Sequence, residues 1–271
     1  MKTRYKKMYD NVMNHYHEHG RHHLPWRKQI TPYRVVVSEI MLQQTQVDRV
    51  IPLFNAWMKQ FPSWRALADA PQSKVLRVWK GLGYNSRALR LQKLAQLITK
   101  EYKGKLPKTY DQLVTLPGIG PYTAGAVCAF AYNEYIPIIE TNIRRIFIHY
   151  FFKDAHEVTD TEILSVIDDI GIIENPREWY AALMDYGSTL PKIVRHNPNT
   201  KSRHYTKQST FKGSDRQLRG QILALLLEKQ TVAKDVLFKQ LGRATKRYQT
   251  IIDHMEKEGF VQQTKNRVTL R

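Results

Sequence analysis

The chain has 271 residues, 42% of them apolar, and carries 43 Lys and Arg against 24 Asp and Glu, a net charge of +19. That size supports a substantial core and suggests two domains, and the charge favours a polyanionic partner such as nucleic acid. The single cysteine, Cys128, excludes an internal disulfide and any site built on four cysteines. No stretch reaches the ~18 apolar residues of a membrane span, and the opening Met-Lys-Thr-Arg-Tyr-Lys-Lys lacks a secretion-signal core, so a cytoplasmic, nucleoid-associated protein without membrane contact is expected.

Residues 7–19 read as a helix. His15 and His19 are four apart and share a face, but Gly20 ends the helix before His22, and no third metal ligand has a predictable position. Leu24-Pro25-Trp26 breaks the chain. After Pro32, apolar residues recur at helical spacing over 33–50, through Val36, Ile40, Val47 and Val50. Further helices are expected at 51–60, 63–69, 73–79, 86–102, 109–115 and 121–131. Thr141 or Asn142 can cap a helix reaching residue 152, and others follow at 159 or 160 onward and at 176–189. Residues 196–213 are polar and basic and read as a linker. Helices at 215–228, 231–240 and 244–258 follow, then a weakly alternating hairpin over 260–270. Three helices and a β-wing in residues 214–271 resemble a winged helix-turn-helix. The last 77 residues hold +11 of the net charge, so this module is expected to touch nucleic acid, with Arg243, Lys246 and Arg247 as backbone contacts near a recognition helix.

Two stretches carry chemistry. Leu116-Pro-Gly-Ile-Gly-Pro-Tyr-Thr-Ala-Gly-Ala126 has apolar flanks around Gly118-Ile119-Gly120, the pattern of a helix–hairpin–helix. Its glycines permit backbone angles closed to other residues and leave bare amides for a phosphate. Upstream, Glu39 lies among Val35, Val36, Val37 and Leu42. Burial there would raise its pKa and keep a proton for a leaving group. A surface glutamate on an amphipathic helix fits the same residues. Gln43, Gln44 and Thr45 suit base edges around a flipped nucleotide, and equally suit an ordinary helix surface.

Leu24-Pro25-Trp26, Thr31-Pro32-Tyr33, residues 38–47, Trp79-Lys80-Gly-Leu-Gly-Tyr84 and residues 116–126 occur in the order found in adenine DNA glycosylases. The chain thus resembles, over about residues 5–190, the helix–hairpin–helix superfamily of base-excision glycosylases. The resemblance implies an all-α, two-lobed glycosylase domain over 1–195. One six-helix lobe would span about 27–135; the other would combine 1–26 with 136–195. It implies that Glu39 protonates adenine N7 and handles the attacking water. Gln44 and Leu42 would lie at the lesion and in the base stack, and Tyr84 would stack beside the damaged pair. Tyr122 takes the place of the Schiff-base lysine of bifunctional relatives, so hydrolysis without strand cleavage is expected. The carbonyls of Val114, Leu116 and Ile119 match those that hold K+ or Na+ in the hairpin. No cofactor is required for the chemistry, and the partner is double-stranded DNA with a mismatch or damaged base, bound by a monomer.

The sequence departs from the family in three places. Glu140 replaces the aspartate that steadies the sugar cation, whereas Asn142 keeps the family asparagine. The four cysteines of the iron–sulfur cluster are missing after Gly187, leaving packing or the basic linker to hold that loop. The family's 8-oxoguanine-reading C-terminal domain is replaced by the winged-helix-like module. Removal of adenine opposite 8-oxoguanine or guanine is the expected activity. Thymine or uracil mismatch glycosylase and a catalytically impaired lesion-binding protein are the alternatives.

Overall fold

The computed structural model describes residues 2–206, 210–242 and 245–271, and of residue 245 the backbone alone. In chain order the helices are α1 (Thr3–His19), α2 (Pro25–Lys28), α3 (Pro32–Leu42), α4 (Val47–Gln60), α5 (Trp64–Ala68), α6 (Gln72–Trp79), α7 (Ser86–Glu101), α8 (Tyr110–Val114), α9 (Pro121–Val127), α10 (Thr141–Phe151), α11 (Asp160–Ile170), α12 (Pro176–Val194) and α13 (Asp215–Lys229). Then come β1 (Thr231–Ala233), α14 (Lys234–Leu241), α15 (Thr245–Lys257), β2 (Val261–Gln263) and β3 (Arg267–Leu270). Among the described residues the fold is helical apart from one small sheet.

Two compact units share the chain: Met1–Ile40 with Leu106–Lys207, and Met41–Lys105 with Gln208–Arg271. These divisions differ from the lobe limits at about 27 and 135 read from sequence. The first unit gains residues 27–40 and the whole hairpin, because Ala126 and Ala129 are built into its core beside Met8, Val12, Ile143, Phe147, Ile163, Trp179 and Leu183.

In the first unit, α1 and α10 both lie along α12. The approach of α10 to α12 depends on Gly187, where an added Cβ would fall 2.7 Å from Asn142 Cβ and closer still to the Asn142 carbonyl oxygen. A buried ion cluster ties α2 to α12. Asp185, 2% exposed, accepts from Arg27 Nη1 at 2.7 Å and Nη2 at 2.9 Å, and from Arg21 Nε at 2.7 Å. The linker read over 196–213 is partly folded. Residues Pro198–Lys201 form a 3-10 turn, Asn199 Nδ2 donates to Thr141 O at 2.8 Å, and Ser202 bridges Val158.

In the second unit, Trp57 stacks edge-on against Phe61 and Trp79 at 4.8 and 5.4 Å. The helix read as continuous over 33–50 is interrupted at 43–46, where Gln44 adopts φ 53. The helix read from 231 begins instead with β1, which pairs with β3 in an antiparallel sheet of order β1-β3-β2. Ile222, Leu226, Leu237, Ile252, Val261 and Val268 fill the C-terminal module's core. That module is docked on α6: Arg77 Nη2 donates to Leu227 O at 3.1 Å and Gln72 Nε2 to Gly259 O at 2.9 Å.

Adding one methyl at position 187 forces α12 away from α10. Gly187→Ala should therefore lose about 1–3 kcal/mol of stability, the usual cost of overpacking. Urea denaturation measures it, and an unchanged midpoint would mean that the two helices have slack.

Candidate active site

Glu39 stands on α3 between Val35, Val36, Val37 and Ile40, all at most 3% exposed, and is itself 7% exposed. The amphipathic-surface alternative is therefore removed. Burial pushes its carboxyl up to about 7; the hydrogen bond from Tyr122 opposes that rise, the nearby charge of Glu140 adds to it, and Arg27 opposes it. Tyr122 Oη donates to Glu39 Oε2 at 2.9 Å. Burial, with Glu39 and Glu140 nearby, pushes the phenol well above its ordinary pKa, so it stays a donor across the pH range of interest.

Glu140, read as an acid just ahead of a cap at 141 or 142, is itself the N-cap of α10. Its Oε1 accepts from the amides of Asn142 at 2.6 Å and Ile143 at 2.9 Å, and its Oε2 from Asn142 Nδ2 at 3.2 Å. The Glu140 carboxylate folds back over its own helix start, where the helix dipole favours an anion. Burial raises the Glu140 pKa, while the Ile143 and Asn142 amides and the charges of Arg145 and Arg144 hold it down. Three N–H donors face Glu140 and one phenol faces Glu39. The charged form is thus better supported at Glu140, and the protonated form at Glu39.

Arg145 fixes this arrangement from behind. Its Nη1 donates to Asn142 Oδ1 at 2.9 Å and Gly187 O at 2.5 Å, and its Nε to Asn197 Oδ1 at 3.2 Å. Nothing in the spacing of the chain pointed to Arg145, Asn197, Asn199 or Gly187. Their roles arise from α12 and the 3-10 turn folding back onto α10.

The hairpin joins α8 to α9. Gly118 adopts φ 81, Ile119 N closes the turn on Leu116 O at 3.1 Å, and Pro121 starts α9. Gly118 and Gly120 are exposed, Ile119 is buried. Among the described residues, the carbonyls of Val114 and Ile119 accept no hydrogen bond, and that of Leu116 accepts the one from Ile119. His15 and His19, edge to face at 5.2 Å, belong to no metal-binding group of His, Cys, Asp or Glu among the described residues.

The remaining sequence candidates lie in the second unit. Leu42 and Thr45 are half-buried, Gln43 and Gln44 exposed. One guanidinium organises them. Arg87, 6% exposed, donates through Nη1 to Met41 O at 3.1 Å and Gln43 O at 2.6 Å, and through Nη2 to Thr45 Oγ1 at 3.3 Å. The same Nη2 reaches Leu82 O and Gly83 O, both at 3.1 Å. Arg87 thus locks two loops together, one carrying residues 43–45 and the other Tyr84, which sits at φ 44 and is 39% exposed. In the C-terminal module Lys246 is exposed. Arg247 is committed to Asp215 at 2.7 Å and to Gly213 O at 2.7 Å. Arg243 lies outside the described residues.

A carboxyl whose folded pKa is raised makes its full contribution to stability below the ordinary value near 4.5, and loses it as pH rises through about 7. Glu39→Gln has no such loss. The variant should match the wild type near pH 4 and exceed its stability at pH 8 by up to about 3 kcal/mol, the equivalent of that shift. Thermal melts across pH measure this, and curves that stay parallel would contradict it.

A family model described as the HhH-GPD superfamily base excision DNA repair protein matches residues 37–169. The adenine DNA glycosylase of Mycolicibacterium smegmatis is 35% identical over 237 residues, covering 80% of this chain and 79% of that protein. The adenine DNA glycosylase of Buchnera aphidicola subsp. Baizongia pistaciae is 37% identical over 191 residues; there this chain spans about half of the relative's length, 54%. Among solved structures, a thermostable thymine-DNA glycosylase superposes with a TM-score of 0.60 at 21% identity, over 68% of this chain and 86% of that one. A trapped endonuclease III–DNA covalent intermediate gives 0.57 at 18% identity, over 78% and 92%. These two likenesses concern the fold. With the buried Glu39, the hairpin and the relatives taken together, the chain belongs to the HhH-GPD superfamily of base excision DNA repair proteins, among relatives named adenine DNA glycosylase.

Proposed function

We propose that this chain is a monofunctional DNA glycosylase that hydrolyses the N-glycosidic bond of adenine mispaired with 8-oxoguanine or guanine. The observation that carries the reading is Glu39: a carboxyl inside an apolar wall, bonded to a phenol at the position where bifunctional relatives hold an amine. Glu39 gives its proton to adenine N7. The bond from N9 to the sugar C1′ then breaks with its electron pair leaving on the base. The sugar cation that results is steadied by the carboxylate of Glu140, held at the helix start by its amide bonds. Water adds to C1′ and yields its proton to the Glu39 carboxylate, leaving an abasic site and free adenine. Tyr122 offers no amine, so no covalent sugar intermediate forms and the strand stays intact.

The hairpin amides would grip a phosphate of the duplex. The Val114, Leu116 and Ile119 carbonyls fit a K+ or Na+ ion, since two of them are unclaimed among the described residues. Such an ion would neutralise part of the phosphate charge. The C-terminal module, read as a winged helix, would add backbone contacts. The commitment of Arg247 to Asp215 leaves Lys246 the better placed of the two. Double-stranded DNA with a mismatch or damaged base is the partner, bound by a monomer.

Incubation with duplexes bearing A opposite 8-oxoguanine, A opposite G, T opposite G and U opposite G, followed by alkali, tests the reading. Adenine should be released from the first two, with single-turnover rates that fall as pH rises through about 7. Glu39→Gln should lose at least ~10²-fold in rate, the scale of a lost general acid, and Glu140→Gln should also be slowed. Release from T or U duplexes alone would make this a pyrimidine mismatch enzyme. Binding without any release would make it a lesion-binding protein. Strand cleavage before alkali would contradict the assignment of Tyr122.

A further inference from the structure

Glu140 stands in the middle of a short segment of the first unit whose two flanks are each seated on a glycine. Two residues before it, Ile138 lies against Gly125 of α9; two residues after it, Asn142 lies against Gly187 of α12. A Cβ added at 125 would fall 2.3 Å from Ile138 Cγ2 and 3.4 Å from Ile136 Cγ2. One added at 187 would fall 2.4 Å from the Asn142 carbonyl oxygen and 2.7 Å from its Cβ. Neither glycine has a positive φ, and both lie inside helices, where glycine lowers helix stability. What these positions use is the missing side chain. Ile138 is 3% exposed, and its Cγ2 sits on a β-branched carbon with few χ1 choices, so the backbone would have to give way.

The segment is pinned on both sides of Glu140. Tyr180 Oη donates to Ile136 O at 2.7 Å, and Asn199 Nδ2 to Thr141 O at 2.8 Å. Arg145 Nη1 joins Asn142 Oδ1 to Gly187 O. A methyl at 125 therefore acts on the residues between these points, and Glu140 is among them. Gly125 also lies three residues after Tyr122, on the same face of α9. One helix face thus carries both the phenol bonded to Glu39 and the seat of the Glu140 segment.

We propose that Gly125 and Gly187 are positioning residues for glycosidic bond cleavage. By lacking side chains they set how deeply the 138–142 segment is seated, and so where the Glu140 carboxylate stands relative to Glu39 and Tyr122. The inference rests on the glycosylase reading, in which Glu140 steadies the sugar cation. Restoring an ordinary carbon–carbon contact of about 3.5 Å beside an added methyl at 125 needs a shift of about an ångström. A misplacement of ~1 Å can cost ~10²-fold in rate.

The test is single-turnover release of adenine from A duplexes by the full chain. The rate constant reports the folded enzyme, and the amplitude reports its active fraction. Gly125→Ala and Gly187→Ala should each lower the rate constant about 10²-fold. Binding to a duplex with a tetrahydrofuran abasic analogue, followed by fluorescence anisotropy, should be retained. Ile138→Ala removes the Cγ2 that the added methyl meets, so the double variant with Gly125→Ala should run at the rate of Ile138→Ala alone. A loss confined to the amplitude would mean that the glycines serve folding only and would overturn the proposal, as would unchanged rate constants in both alanine variants. If Gly125→Ala leaves no active fraction, Gly187→Ala and the double variant decide, and a double variant far slower than Ile138→Ala alone overturns the proposal. If the wild type releases no base, the glycosylase reading fails, and carbon-13 NMR titration of Glu39 tests the seating by itself. Tyr122, Glu140 and Arg27 bear on Glu39, and the charge of Glu140 raises its midpoint, so a segment pushed off α9 should lower it. An unmoved midpoint in Gly125→Ala would then refute the seating, and a lowered one would uphold it.

Discussion

A proton held between a dry carboxyl and a phenol is the constraint on which the site depends. Glu39 can hold a proton near neutral pH only because water is kept from it by Val35, Val36, Val37 and Ile40. Tyr122 limits the effect: its hydrogen bond favours the charged form and draws the pKa back toward neutrality. The pair is thus balanced between a carboxyl too acidic to hold a proton and one too weak to release it. Burial raises the pKa of Glu140 as well, but its oxygens are met by backbone and side-chain N–H groups that favour the charged form. The two carboxyl groups share one side-chain chemistry and differ in the donors that face them.

In each unit, much of the rigidity comes from arginines whose bonds are internal. Arg145 joins Asn142, Gly187 and Asn197. Arg27 and Arg21 neutralise Asp185. Arg87 gathers carbonyls from two loops, and burial lowers its pKa to about 10, which still leaves it charged at neutral pH. The net charge of +19 therefore overstates what is offered to a polyanion, because several of the most informative cations hold the protein's own backbone and side chains. The strap over residues 197–203 belongs to the same economy of means. Asn199 and Ser202 bind it to Thr141 and Val158, bracing the segment that starts α10 by hydrogen bonds.

Helix positions were legible in the chain wherever apolar spacing was long and regular, as in α1, α7 and α12. The hairpin was legible because Gly118 needs a positive φ and proline is favoured in the first turn of a helix, where Pro121 stands. Other features depend on partners far along the chain. The break at 43–46 is hidden because Gln44 reaches φ 53 beside a guanidinium supplied by Arg87. Strand β1 is three residues long and exists by pairing with β3, so its local pattern read as helix. Glu39 was legible as a candidate, yet its burial was undecided until the fold closed around it. The role of Glu140 as its own helix cap was missed because Thr141 and Asn142 are equally good caps by type. The pairing of Arg216 with Tyr84 joins residues 132 positions apart, and no local pattern encodes it.

The central claim is that Glu39 is protonated near neutral pH because it is buried and singly bonded. It is tested most directly by carbon-13 NMR titration of the glutamate carboxyl carbons, with the Glu39 signal assigned by its loss in Glu39→Gln. The account predicts a midpoint of about 7, moving upward in Tyr122→Phe, where the bond favouring the charged form is gone. A midpoint in the ordinary range near 4.5 in both proteins would contradict it.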